Sequence, residues 1–123
     1  MIEAKGLEAA VARALAEHGC DLIDVSSAGN SPRSRPQYGR MYQVPFAERI
    51  RAEVGIPVMA VGGIAGADHV NTILAAGRAD LCALARAHLY DPYWSRHAAT
   101  QQDWTMSWPS PYASVQRYVP RFG

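Results

Sequence analysis

The chain repeats one order of apolar and polar positions, in which a stretch with helical spacing is followed by a short apolar run. The first stretch predicts a helix over about 7–18, closed by Gly19 in the place that favours a left-handed cap. The run "DLIDVSSAG" then predicts a strand at about 21–27. The positions with helical spacing are Leu7, Ala10, Val11, Ala14 and Leu15.

The same order returns twice more. Pro45 suits the first turn of a second helix that Gly55 closes, and "IPVMAVGG" predicts a strand at about 57–62. A third helix ends at Gly77, and "ADLCALA" predicts a strand at about 79–85. A last helix is expected over about 92–101, before a tail rich in Pro, Ser and aromatic residues.

Three such βα units predict an α/β fold with parallel strands. Their interiors are almost wholly apolar, which is typical of strands covered on both faces. Three parallel strands cannot close, and a (β/α)₈ barrel normally needs about 250 residues. We therefore expect an incomplete TIM barrel, its C-terminal three βα units, either truncated or completed by another polypeptide. Residues 1–123 would form one partial domain, with βα units to about 103 and a tail over 104–123.

Composition narrows the possible partners. The chain of 123 residues has 12 Lys and Arg against 11 Asp and Glu, a formal net charge of +1. A general nucleic-acid or membrane-surface binder needs a larger basic excess, so neither partner is expected. No apolar run is long enough to span a bilayer and the N-terminus does not resemble a signal peptide, so the expected location is the cytoplasm. Cys20 and Cys82 lack metal-type spacing, and neither a metal nor a disulfide is expected.

Candidate binding residues follow each predicted strand. In α/β folds, ligands bind at the carboxyl ends of parallel strands. Two glycines after the second strand would let main-chain amides approach an anion, and the turn that begins at Arg86 would add further N–H groups. Two neighbouring strand ends therefore predict one phosphate site, although a glycine pair alone more often marks a tight turn. The candidates are Ser26, Ser27, Gly29, Gly62, Gly63, Ala85 and Arg86.

Several motifs together resemble the old yellow enzyme family of flavin-dependent ene-reductase and NADH:flavin oxidoreductase barrels. They are "CDLIDVSSAGN", "MYQVPFAERIRAEVGIPVMAVGGI", "ILAAGRADLCALARAHLYDPYW" and "WPSPY", which cover nearly the whole chain. Within the family, the sequence is most similar to the reductase-like domain of salicylyl-CoA hydroxylases and 2-aminobenzoyl-CoA monooxygenase/reductases.

The resemblance implies FMN as cofactor and NAD(P)H as electron donor. Amides at Gly62 or Gly63 and at Ala85 and Arg86 would hold the FMN phosphate, with the Arg86 side chain beside the flavin. Most members have Gly where this chain has Ala85. The added methyl group leaves the amide available but restricts the backbone conformations that the residue can adopt. The implied substrate is an aryl-CoA or an α,β-unsaturated carbonyl compound.

No catalytic residue is predicted, because the family's paired imidazoles lie on an earlier strand. The four histidines here, which are His18, His69, His88 and His97, are expected to be helix-surface residues. The fragment alone would then be inactive. A different class of function stays open: a non-catalytic phosphate-binding module, or one that self-associates through its strand edges.

Two further features have open interpretations. The loop from Ala28 to Gln43 carries three arginines and two tyrosines, and would either clamp a CoA phosphate or cover the flavin, or be a solvated connector. Asp24 interrupts an apolar strand, and we expect a structural hydrogen bond for it rather than acid/base chemistry.

Overall fold

The computed structural model describes residues 7–27, 32–33, 35, 37–116 and 118. Its contacts divide the chain into two compact units, Met1–Tyr90 and Asp91–Gly123. A single partial domain over 1–123 stays a prediction.

Helices and strands alternate through the first unit as the sequence predicts. The strands are shorter than expected, three or four residues each. The elements are α1 (Leu7–Glu17), β1 (Ile23–Val25), α2 (Val44–Val54), β2 (Val58–Val61), α3 (Ala67–Ala75), β3 (Leu81–Ala83) and α4 (Arg86–Tyr90).

The three strands form one parallel sheet in the order β1-β2-β3. Ile23 is opposite Val58 across the first pair, and Met59 is opposite Leu81 across the second. This topology confirms the α/β class and agrees with a part of a (β/α)₈ barrel.

The two faces of the sheet differ in their cover. One face joins the hydrophobic core beneath the helices through Ile23, Val25, Val58, Ala60 and Cys82. The alternating positions on the opposite face, which are Asp24, Met59, Val61, Leu81 and Ala83, lie outside that core. Leu81 remains 49% exposed. The expectation that both faces are covered is therefore wrong for the described residues, because the second face corresponds to a barrel interior that other strands would fill.

Helix α1 buries its small residues instead of its large ones. It lies against α2, and its buried positions are Ala9 and Ala12, whose small side chains allow close approach. Leu7, Val11 and Leu15 are exposed. These three line an apolar groove of about 290 Å³ along β1, beyond which the described chain has no further element to cover them.

A polar cluster joins the helices to the amino ends of β2 and β3. The Arg51 guanidinium binds both carboxylate oxygens of Asp80 at 3.1 Å and the Gly77 carbonyl at 2.9 Å. The Val58 amide donates to Asp80 Oδ2 at 3.0 Å. The Val58 amide has the largest effect and lowers the pKa of Asp80; burial opposes it, and the Arg51 guanidinium lowers the pKa further, so that the net shift is downward. The cluster lies at the amino ends of the strands, whereas the candidate site lies at their carboxyl ends. This position indicates that the cluster stabilises the fold.

The second unit contains α5 (Trp94–Gln101) and a 3₁₀ helix over Ser110–Val115, where the sequence predicted only a loop. His97 Nδ1 lies 2.6 Å from Asp91 Oδ2. The Arg96 guanidinium covers the Trp108 ring at 3.9 Å and donates to the Ser107 carbonyl.

Among the helices of the described residues, none is both long enough and apolar enough to cross a membrane.

Candidate functional site

A cleft of about 890 Å³ lies at the carboxyl ends of the three strands. Its floor includes Val61 and Ala83, which the strand register pairs on the open face of the sheet, and Ser26, which directly follows the end of β1. The four residues predicted to bind a phosphate all line this cleft, and they are Gly62, Gly63, Ala85 and Arg86. The structure therefore brings the two predicted strand ends to one place, while an anion bound there stays a prediction.

The two glycines have backbone conformations that other residues rarely adopt. Gly62 has φ +99° and Gly63 has φ +66°. A Cβ on Gly62 would lie 2.7 Å from the Tyr42 ring, and a Cβ on Gly63 would overlap the Gly39 carbonyl oxygen. The glycine requirement thus comes first from the close approach of the chain's own segment 39–43.

The end of the long loop before α2 forms one wall of the cleft. Tyr38, Gly39, Arg40 and Tyr42 line it, and the two tyrosine rings meet edge to face at 5.3 Å. The Met41 amide donates to the Gly63 carbonyl at 3.0 Å. This part of the loop therefore contacts the glycines, although Tyr38, Gly39 and Arg40 are themselves exposed, and both interpretations of the loop stay predictions. Residues 28–31, 34 and 36 lie outside the described residues, and the predicted candidate Gly29 is among them.

Gln43 is a site residue that sequence reasoning missed. It is 2% exposed. Its Oε1 accepts hydrogen bonds from the Ser27 amide at 2.5 Å and the Ser27 hydroxyl at 3.0 Å, while its Nε2 donates to the Val61 carbonyl at 3.0 Å. The only signal in the sequence is a polar residue directly before the helix, two positions ahead of Pro45.

The charge of the cleft suits an anion. Arg40 and Arg86 both line it, and no Asp or Glu is among the described residues that do. Neither arginine forms an ion pair within the described part of the chain. The first amides of a helix have no intrahelical partner, so the N–H groups of Arg86 and Ala87 add donors beside the guanidinium. The Ala85 side chain is exposed, and its carbonyl accepts from the Leu89 amide at 3.0 Å.

The remaining candidates have varied positions. His69 lies on α3 and lines the cleft, with its Nδ1 3.4 Å from the Ala65 amide, whereas His18 is exposed as predicted. Asp24 is exposed at the β1 edge, and the expected structural hydrogen bond is not found among the described residues. Burial raises the pKa of the Cys82 thiol, which lies on the helix-covered face. No cluster of three potential metal ligands occurs among the residues that the structure describes.

The chain is similar to a known protein family and to several NADPH dehydrogenases over most of its length. Residues 2–104 match the model of the NADH:flavin oxidoreductase / NADH oxidase family. An NADPH dehydrogenase of a Geobacillus species is 47% identical over 105 residues, which is 85% of this chain and 29% of that protein. The NADPH dehydrogenase of Halalkalibacterium halodurans is 44% identical over 102 residues, 83% of this chain and 30% of the relative. That of Bacillus licheniformis is 42% identical over 112 residues, 88% and 33%. The chain thus spans about three tenths of the length of these relatives.

Proposed function

The chain belongs to the NADH:flavin oxidoreductase / NADH oxidase family, and we propose that its cleft is the phosphate-binding part of an FMN site in an FMN-dependent NAD(P)H oxidoreductase. Amides at Gly62 or Gly63 and at Ala85 and Arg86 would hold the phosphate, and the Arg86 guanidinium, beside the flavin, would add a charge-assisted hydrogen bond to the cofactor. The observation that carries this proposal is a cleft at the strand ends with two arginines and no carboxylate among its described lining residues.

The residues present fit a flavin phosphate in size and chemistry. A cleft of about 890 Å³ falls within the usual range of cofactor pockets, about 300–1,000 Å³. The lining combines main-chain donors with a guanidinium, which is the donor set that phosphate oxygens prefer. FMN, when bound, would supply hydride transfer, and the chain's own residues would bind and orient it.

Finer features of the whole protein are also proposals. The electron donor would be NADPH or NADH, and the substrate an aryl-CoA or an enone, following the resemblance to reductase-like domains of salicylyl-CoA hydroxylases. The proposed compartment is the cytoplasm. Turnover is expected only in a polypeptide with the other barrel strands, because half of the flavin's surroundings and the groups that polarise the substrate would come from them.

Titration with FMN and with riboflavin, which lacks the phosphate, tests the proposal. Quenching of flavin fluorescence should show tighter binding of FMN, and Arg86→Gln should weaken FMN binding about tenfold through loss of a charge-assisted hydrogen bond. Arg13→Gln is the matched control, because Arg13 lies on α1 and only approaches Glu53 at 3.8 Å. Equal affinity for both flavins, or an equal effect of the two variants, would contradict the proposal.

A second candidate function is self-association of a partial barrel, in which the occupant of the apolar groove is a second copy of this chain. Two features favour it: the exposure of Leu7, Val11 and Leu15, and an edge of β1 with which no other described strand pairs. Sedimentation should then show a dimer or larger species that Val11→Lys dissociates. A monomer at all concentrations would reject this candidate and leave the FMN proposal untouched.

A further inference from the structure

The Gln43 side chain bridges two strand ends that are far apart in sequence. Its Oε1 faces two donors of Ser27, 16 positions earlier, and its Nε2 faces the carbonyl of Val61, 18 positions later. Only one orientation of the amide satisfies both sides, because the Ser27 N–H can only donate and the Val61 carbonyl can only accept. The side chain is thus fixed in direction as well as in position.

An apolar side chain could fill the same volume but could not make these bonds. Without Gln43 the Ser27 amide and the Val61 carbonyl would lose the hydrogen bonds that they share with its side chain, and part-buried main-chain polar groups are less favourable after the loss of a partner. A buried side-chain amide therefore joins two segments at the carboxyl ends of β1 and β2.

Gly62 connects this bridge to the proposed phosphate site. It follows Val61 directly, and a Cβ there would lie 2.5 Å from Gln43 Nε2. The bond to the Val61 carbonyl consequently holds the peptide from which the Gly62–Gly63 turn departs. Ser26, next to Ser27, lines the same cleft, so the bridge anchors both sides of the cleft floor.

We propose that Gln43, which lines the cleft but is only 2% exposed, is a positioning residue that sets the main-chain amides of the cleft for an anionic phosphate through its bonds to Ser27 and Val61. This inference rests on the proposed FMN function and adds to it the group that pre-organises the site. Loss of the Gln43 hydrogen bonds would then lower the preference of the chain for FMN over riboflavin, because only the phosphate of FMN binds those amides.

Two substitutions separate positioning from simple filling of space. Gln43→Met keeps the length of the side chain and removes all three hydrogen bonds, and it should lower the FMN-to-riboflavin affinity ratio about tenfold while riboflavin affinity stays unchanged. Gln43→Glu, when ionised, places a carboxylate oxygen against the Val61 carbonyl and should lower the ratio similarly. When protonated it can donate to Val61 and accept from Ser27, so the ratio should return toward wild type as the pH falls through the glutamic acid pKa.

The phosphate of FMN titrates as well, so each ratio is compared with wild type at the same pH. Gln102→Glu is the matched control, because the Gln102 Nε2 donates within the second unit to the Ala98 carbonyl; its ratio should equal that of wild type at every pH. If Gln43→Met does not fold, the pH profile of Gln43→Glu decides.

Three results have distinct meanings. A lowered ratio in both Gln43 variants, with recovery of Gln43→Glu in acid, supports the inference. Wild-type preference for FMN with no change of ratio in the variants, or with equal losses for FMN and riboflavin, overturns the inference alone. Absence of any preference in the wild type overturns the proposed function and the inference with it.

Discussion

Replacement of Gly63 by Ala tests how the glycines of the cleft are used. The backbone of Gly63 is left-handed at φ +66°, and a Cβ would overlap the Gly39 carbonyl oxygen and lie 2.7 Å from the Met41 nitrogen. Gly55 is the matched control, since it has φ +77° and no atom within 4 Å of an added Cβ.

The structure separates two contributions to the expected loss of stability. A left-handed alanine costs about 1–2 kcal/mol at either site, and the lower entropy of the unfolded alanine chain offsets about 0.4–1 kcal/mol of it. Gly63→Ala must also displace segment 39–41 and lose the bond from the Met41 amide to the Gly63 carbonyl, which adds about 1–2 kcal/mol. We expect a loss of about 2–3 kcal/mol for Gly63→Ala and about 1 kcal/mol for Gly55→Ala.

Urea unfolding followed by circular dichroism measures both losses. A Gly63→Ala variant that unfolds at a lower urea concentration than Gly55→Ala, with the same dependence on urea, agrees with close contact between Gly63 and segment 39–41. Equal losses of stability would show that this segment does not lie against Gly63. The position of segment 39–41 as a wall of the cleft would then be contradicted.

Three other predictions concern stability and reactivity. Because the folded pKa of Asp80 is lowered below the ordinary 3.8, its carboxylate stabilises the fold above that pH and the contribution is lost as the pH falls through the folded pKa; Asp80→Asn should therefore be less stable than wild type in urea at pH 7 and differ less at pH 3. Ile73→Ala should lower the free energy of unfolding by about 2–5 kcal/mol because Ile73 is fully buried. Leu74→Ala, at the exposed neighbouring position, should lower it by under about 1 kcal/mol. Similar losses in the two variants would contradict the burial of Ile73 in the core. In a Cys20→Ser background, Cys82 should react with iodoacetamide at pH 8 more slowly folded than in urea, because burial raises its pKa; equal rates would refute this.

Much of the fold follows from sequence periodicity and punctuation. Pro45 and Gly55 fall at the two ends of α2, where a fixed φ and a left-handed cap are needed. The strands are recognisable because parallel strands are short apolar runs between such signals. The residues at the strand ends could be placed near one another for the same reason, since parallel strands end at one edge.

Long-range polar contacts could not be predicted in this way. Gln43 binds partners 16 and 18 positions away, and nothing in its local sequence reveals either. The Arg51–Asp80 contact spans 29 positions, and the local sequence of neither residue reveals it. The exposure of Leu7 and Val11 was also missed, because periodicity identifies an apolar face of a helix but not whether a neighbouring element covers it.

The central claim is that the cleft residues bind a phosphate through main-chain amides. Amide chemical shifts of the ¹⁵N-labelled chain, titrated separately with FMN and riboflavin, test it directly and detect weak binding. We expect FMN to shift the amide signals of Gly62, Gly63, Ala85 and Arg86 and riboflavin to shift them far less, while the Gly55 amide signal stays in place with both. Shifts confined to the apolar groove beside α1, or none at these four amides, would contradict it.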